Sequence, residues 1–141
     1  MLVLSSKVRY GSAALMELVG NYDQGLLPSK VIAERRGIPP NYLEQLLNRL
    51  TKGGLIKASR GSKGGYQLAL PPGEVTFLQV WEMLEGGLET KNDVSQGDAV
   101  QDLYLEAELA IKKAFSISLA ELFARQQKYE EPAQENMMFH I

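Results

Sequence analysis

Apolar positions along the chain follow a helical period up to residue 52 and an alternating period directly after it. The clearest helical stripe consists of four leucines spaced i, i+3, i+4 and i+7: Leu43, Leu46, Leu47 and Leu50. Pro40 suits the first position of this helix, and Gly53-Gly54 suit its end. The segments LIKASR and GYQLAL then alternate apolar and polar residues, which predicts two short strands joined by the glycine-rich turn RGSKGG.

Two shorter helices are predicted before the leucine stripe. Ser5 suits the N-cap of the first, which runs to about Gly20, and Ser29 suits the N-cap of the second, which ends at Gly37. The order helix, helix, tight turn, helix and glycine-tipped hairpin predicts a winged helix-turn-helix. The expected fold class is mainly α with a small β-hairpin wing and a long dimerisation helix.

Three further helices are predicted after the hairpin. Thr76 and Gln79 match a capping box, a long helix is expected over 99–115, and Ser118 opens a short helix ending near Gln127. The predicted organisation is a winged-helix domain at 1–85, a flexible loop at 86–98, a dimerisation helix with a short closing helix at 99–127, and a disordered tail at 128–141.

The formal net charge of −2 hides two halves of opposite sign. Through Leu70, ten basic residues face four acidic ones, a net charge of +6; from Pro71 onward, five basic residues face thirteen acidic ones, a net charge of −8. A basic half joined to an acidic half predicts a polyanion-binding face on one side of the molecule.

Composition excludes several classes of protein. The chain has no cysteine and one histidine, His140, so a disulfide scaffold, a thiolate nucleophile and a multi-histidine metal site are not expected. It contains neither a P-loop nor a GxSxG motif, and no scaffolded acid pair suggests a carboxylate hydrolase, so we do not expect an enzyme. No long apolar run or signal-peptide core is present, and the expectation is a cytoplasmic protein without a membrane partner.

The polar face of the leucine helix carries the candidate DNA contacts. Asn and Gln pair with adenine in the major groove, and Glu accepts from the cytosine amino group. The candidate base-reading residues are Asn41, Tyr42, Glu44 and Gln45. The candidate phosphate contacts are Lys7, Arg9, Tyr10, Arg49 and Lys52. The candidate minor-groove residues of the wing are Arg60, Gly61 and Lys63. Taken singly, each signal also fits a solvated helix face or an ordinary turn; their order within one basic segment favours DNA binding.

The blocks LSSKVRYGSAALMEL, IAERRGIPPNYLEQLLNRLTKGGLI and SRGSKGGYQLALPPGEVTFLQVWEMLEG resemble the family of bacterial transcription regulators that includes IscR, CymR and NsrR. The resemblance implies a homodimer that crosses through the helix at 99–115 and binds a palindromic DNA operator. It also implies that Tyr42, Glu44 and Gln45 occupy base-reading positions and that Arg60 occupies the wing's minor-groove position.

One departure from this family concerns its iron–sulfur cluster. Cluster-binding members place three cysteines in the segment that corresponds to about 86–106, where this chain has none. The acids there are hard oxygen ligands, poorly matched to a cluster: Asp93, Asp98, Asp102 and Glu106. The chain therefore resembles the branch without a cluster. No cofactor is expected, and a small-molecule effector, a protein effector or none remain open.

The long helix has one side of apolar and small residues, for which two interpretations exist: Leu103, Ala107, Ala110, Ile111 and Ala114. They would either complete a monomeric core or contact a second copy, and the two half-sites of a palindrome favour the second copy. The expected function is a dimeric repressor with the third helix in the major groove and the wing in the minor groove. The alternative is a winged-helix protein-interaction module that no longer binds DNA.

Overall fold

The computed structural model describes residues 3–86 and 97–139, without the side chains of 131–139. Its elements in chain order are α1 (Ser6–Gly20), α2 (Ser29–Arg36), α3 (Pro40–Lys52), β1 (Ile56–Ser59), β2 (Gly65–Leu68), a 3₁₀ helix (Pro72–Glu74), α4 (Phe77–Glu85), α5 (Ala99–Phe115) and α6 (Leu119–Phe139). The winged helix-turn-helix predicted from the order of the elements is confirmed.

Local sequence signals set most helix ends. The Ser5 hydroxyl caps α1 by accepting from the backbone N–H of Val8, and Thr76 and Gln79 form the reciprocal capping box of α4. The prediction that Ser29 caps α2 is wrong. Pro28, in extended conformation, occupies the N-cap, and Ser29 becomes the first helical residue with its hydroxyl directed elsewhere.

A single apolar core lies between α1, α2, α3 and α4. The leucine stripe of α3 is its centre, since all four side chains are almost completely buried: Leu43, Leu46, Leu47 and Leu50. Leu15 and Leu18 of α1, Ile32 of α2 and Leu84 of α4 surround that stripe. This packing fixes which face of α3 points to solvent.

The wing is a hairpin extended by one residue from the α1–α2 connection. β1 and β2 pair antiparallel, with Ile56 opposite Leu68, and an isolated bridge joins Leu27 to Tyr66 of β2. Gly65 permits this approach, because a Cβ at that position would lie 2.7 Å from the carbonyl carbon and oxygen of Leu27. The wing is thereby attached directly to the segment that leads into α2.

The start of α6 is tied to the start of α4. The backbone N–H of Phe77 donates to the carbonyl of Ile117 at 2.9 Å, and that of Leu119 donates to Val75 at 2.8 Å. The ring of Phe115 stacks edge-on against Phe77, with centroids 4.9 Å apart. Among the described residues, aromatic packing anchors α5 only at this end. Glu108 is the one buried residue of α5.

The C-terminal region differs from the sequence prediction. α6 continues to Phe139, so the prediction that it ends near Gln127 and gives way to a disordered tail is wrong for the described residues. The run after Gln127 contains many good helix formers, which outweigh Pro132 and the missing apolar period. Most of the predicted loop at 86–98 lies outside the described residues. Across 3–86 and 97–139, no helix has the length and apolar character needed to cross a membrane.

Candidate nucleic-acid interface

The solvent-facing side of α3 presents the predicted base-reading residues together. Asn41, Glu44, Gln45 and the neighbouring Asn48 are exposed, opposite the buried leucines, whereas Tyr42 is half-buried. Within 3–86 and 97–139, the amide groups of Asn41 and Gln45 form no hydrogen bond with another side chain or with the backbone. They are available to pair with base edges.

Glu44 is already hydrogen-bonded through both carboxylate oxygens. Oε1 accepts from the Ser29 hydroxyl at 2.5 Å, and Oε2 accepts from the Tyr66 hydroxyl at 3.0 Å. Burial raises the pKa of Tyr66 above 10.0, and the hydrogen bond to Glu44 and its negative charge raise it further. Neither Ser29 nor Tyr66 is indicated as a site residue by the sequence, because their approach to Glu44 depends on the bridge between Leu27 and β2.

The N-terminal ends of α1 and α3 meet through a pair of tyrosines. The rings of Tyr10 and Tyr42 lie edge to face, with centroids 5.8 Å apart, and the Tyr42 hydroxyl lies 3.3 Å from the Ser6 hydroxyl. Lys7, half-buried, occupies the same stretch of α1. The structure therefore brings the candidate phosphate contacts Lys7 and Tyr10 close to the start of the candidate reading helix.

The remaining candidate phosphate contacts are more dispersed. Arg9 lines a groove of about 420 Å³ between α1, α4 and α6, beside Ser12 and Leu122, rather than the side of α1 that carries Tyr10. Arg49 donates to the carbonyl oxygen of Leu84 at 3.4 Å, near the end of α4. Lys52 is exposed in the last turn of α3.

The wing projects a positively charged tip. The three residues that the sequence predicts in the wing's turn are all exposed: Arg60, Gly61 and Lys63. A backbone hydrogen bond of 3.0 Å from Gly64 to Gly61 closes this turn, and Gly61 adopts a φ of +112°, a conformation that glycine tolerates and other residues rarely adopt. The bend between Gly61 and Gly64 carries Lys63 at the tip.

Part of the positive charge of the first half is neutralised within the fold. Arg36 donates to Glu17 at 2.8 Å, and Arg35 lies 3.3 Å from the same carboxylate. The cations with no acidic partner within 4 Å in the described part of the chain include Lys7, Lys52, Arg60 and Lys63. These four lie at the start of α1, the end of α3 and the wing, which are the elements that border the polar face of α3.

The apolar side of α5 is not covered by the residues that the structure describes. Leu103 is 60% exposed and the neighbouring Val100 is 64% exposed. Four of the predicted dimerisation residues are exposed: Leu103, Ala107, Ala110 and Ala114. The fifth, Ile111, is half-buried. Small side chains at three of these positions would permit close approach of a second helix.

The described acidic residues of the segment 86–106 are not arranged as a metal site. Asp98 accepts from the backbone N–H of Gln101 at 2.7 Å and so serves as the N-cap of α5, while Asp102 and Glu106 are exposed. Asp93 lies outside the described residues. Over 3–86 and 97–139, no three His, Cys, Asp or Glu side chains are arranged to hold a metal ion.

Comparison with known proteins identifies the family of this chain. Residues 4–125 match the Rrf2 family, described as an iron-dependent transcriptional regulator. The chain is 31% identical over 139 residues to the helix-turn-helix transcriptional regulator CymR of Bacillus subtilis, covering 98% of this chain and 99% of that protein.

Solved structures show the same relationship. The structure of CymR, titled the global cysteine regulator of B. subtilis, matches with a TM-score of 0.79 at 31% identity, covering 89% of this chain and 98% of that one. An IscR from T. potens matches with a TM-score of 0.76 at 31% identity, covering 91% of this chain and 90% of that one. The resemblance to IscR-type regulators is confirmed, and so is the expectation of a regulator rather than an enzyme. The chain belongs to the Rrf2 family of helix-turn-helix transcriptional regulators.

Proposed function

We propose that this protein is a homodimeric repressor that binds a palindromic DNA operator, with α3 in the major groove and the wing in the minor groove. The observation that carries the proposal is the two-sided character of α3. Four leucines bury one side of the helix, and the other side presents Asn41, Glu44 and Gln45 to solvent. A helix of this kind fits the major groove, where these side chains reach base edges.

Charge around α3 supports the same orientation. Lys7 precedes the Tyr10–Tyr42 pair at one end of the helix and Lys52 lies at the other, so both can contact phosphates while α3 lies in the groove. The exposed Arg60 and Lys63 of the wing extend to one side, where a narrow and electronegative minor groove would attract them. Arg49, by contrast, donates through Nη1 to the carbonyl of Leu84, so its guanidinium is directed toward the end of α4.

Dimerisation is inferred from α5. Val100 and Leu103 are 64% and 60% exposed on the side of α5 that carries the small residues, and such an apolar surface favours a partner that covers it. A second copy packed on this side would place two α3 helices on one duplex. In such dimers the half-sites lie about 34–36 Å apart, one turn of DNA.

The family is described as iron-dependent, but the donor atoms of this chain do not fit an iron–sulfur cluster. Such clusters are held by cysteine thiolates, with histidine as an occasional substitute, and the sequence contains no cysteine and a single histidine. Regulation by a cluster of its own is therefore not part of the proposal. Repression follows from occupancy of the operator, which blocks access to the promoter.

Selection of genomic DNA fragments tests the proposal. Purified protein is mixed with sheared DNA from its own genome, and the retained fragments are sequenced and footprinted. We expect a palindromic motif with protection of two half-sites one turn apart. Retention of fragments without any shared motif would overturn the proposal and favour a protein-interaction module. A Gln45→Ala/Arg60→Ala double variant, altered only at exposed positions, is the matched control and should lose the motif.

A further inference from the structure

Two residues outside the candidate DNA contacts hold the carboxylate of Glu44. The Ser29 hydroxyl donates to Oε1 at 2.5 Å, and the Tyr66 hydroxyl donates to Oε2 at 3.0 Å. The donors come from α2 and β2, 15 and 22 residues away along the chain from Glu44. A side chain of the candidate reading helix is therefore oriented by the two elements on either side of it.

Both donors are attached to the same backbone frame. Tyr66 exchanges two backbone hydrogen bonds with Leu27, each 2.9 Å long, and Ser29 follows Leu27 by two residues. Gly65 allows this close approach, since a Cβ there would collide with the Leu27 carbonyl. The distance between the two hydroxyls is thus set by backbone pairing, and the carboxylate of Glu44 is held between them.

The chemistry leaves Glu44 able to bind a base while its orientation is fixed. A carboxylate has about four acceptor positions on its two oxygens, and the two hydroxyls occupy one position on each. The others can accept from a cytosine amino group. The pKa of Tyr66, raised by burial and by Glu44, keeps its hydroxyl protonated as a donor at neutral pH.

We propose that Tyr66 and Ser29 are positioning residues for base recognition, which fix the Glu44 carboxylate so that it selects one base pair in each half-site. This inference rests on the proposed function, since it concerns how the same α3 reads DNA. Without the two donors, Glu44 must lose rotamer freedom when it binds the base. That cost lowers its discrimination between bases about two- to tenfold.

Base preference at every operator position provides the test. Each position of the selected motif is varied in turn, and relative affinities are measured for the wild type, Tyr66→Phe, Ser29→Ala, Glu44→Ala and the Tyr66→Phe/Glu44→Ala double variant. We expect Glu44→Ala to abolish preference at one position per half-site. Tyr66→Phe and Ser29→Ala should weaken preference there about two- to tenfold and leave other positions unchanged. In the Glu44→Ala background, Tyr66→Phe should have no effect on preference.

Controls separate positioning from loss of structure. Tyr22→Phe removes a hydroxyl from an exposed tyrosine outside the site and should match the wild type at every position. Unchanged preference in both Tyr66→Phe and Ser29→Ala would overturn the inference. A uniform loss of affinity at all positions, or an effect of Tyr66→Phe that persists without Glu44, would also overturn it. A wild type without preference at any position would instead overturn the proposed function, which distinguishes the two failures.

Discussion

Leu27 and Tyr66 donate to each other's carbonyl oxygens at 2.9 Å, so the connection between α1 and α2 adds a third strand position to the wing. This pairing makes the orientation of the wing depend on the helix-turn-helix rather than on the hairpin alone. It also brings the hydroxyls of Ser29 and Tyr66 to the same carboxylate, that of Glu44. The wing and the exposed face of α3 thus form one connected surface.

Replacing Gly65 tests whether this pairing stabilises the fold. In Gly65→Ala the new Cβ would lie 2.7 Å from the carbonyl of Leu27, so either the bridge opens or the backbone shifts. We expect a loss of about 1–3 kcal/mol in the free energy of unfolding, measured by urea denaturation. Gly73→Ala is the control, because its Cβ would meet no atom within 4 Å, and it should change the stability by less than about 0.5 kcal/mol. Equal stabilities of the two variants would contradict this interpretation of the bridge.

The raised pKa of Tyr66 predicts a pH dependence at alkaline pH. A tyrosine whose pKa is higher in the folded chain binds its proton more tightly there than in the unfolded chain, whose value is close to 10.0. Its contribution to stability is therefore fully present below pH 10.0 and is lost as the pH rises through the raised value. Urea unfolding on both sides of pH 10.0 should show a steeper decline for the wild type than for Tyr66→Phe. Tyr22→Phe should decline like the wild type, and identical slopes for all three would contradict the assignment.

Substitutions on the buried side of α3 should lower stability, and substitutions on its exposed side should lower DNA affinity. Leu47 is completely buried, so Leu47→Ala should reduce the free energy of unfolding by about 2–5 kcal/mol. Gln45, two residues earlier, is exposed, and Gln45→Ala should change it by less than about 0.5 kcal/mol. The same Gln45→Ala variant should lower operator affinity by about 1–3 kcal/mol. Thermal denaturation and fluorescence anisotropy give the two quantities; a Gln45→Ala variant with wild-type affinity would argue against base reading at this position.

Charge on the exposed side of α5 should break the dimer. Leu103→Glu would place a carboxylate in the proposed interface, where burial without a partner is costly, and we expect monomers in analytical ultracentrifugation. The monomer should stay folded, since this side chain is exposed within the chain. Lys57→Glu introduces the same residue at an exposed position of β1, on the wing and away from α5, and should remain dimeric. A dimeric Leu103→Glu variant would place the interface elsewhere.

Local and periodic signals predicted most of the fold. The leucine stripe gave α3 its buried face, Thr76 and Gln79 marked the start of α4, and α5 begins and ends where the prediction places it. Each of these depends on residues within a few positions of one another. Ser29 shows the limit of such signals. It has the right residue type for a cap, but Pro28 takes that position and the hydroxyl contacts Glu44 in another helix.

The contacts around the candidate site depend on tertiary structure, which a linear pattern does not contain. Tyr66 was predicted only as part of an alternating strand, and nothing in its neighbours along the chain indicates that its hydroxyl reaches α3. Arg9 is similar. It stands next to Tyr10 in the sequence, yet the turn of the helix directs it to the groove with Ser12 and Leu122. The residue types indicated which side chains are polar or charged. The packing of the elements determines which of them lie close together in the candidate site.

The central claim, sequence-specific DNA binding by a dimer, is tested most directly by one anisotropy titration series. The selected operator and a scrambled duplex of the same composition are each titrated with the protein at several salt concentrations. We predict two chains per operator, an affinity at least about 10³-fold higher than for the scrambled duplex, and a steep loss of affinity as salt rises. Equal affinity for the two duplexes at every salt concentration would contradict the claim.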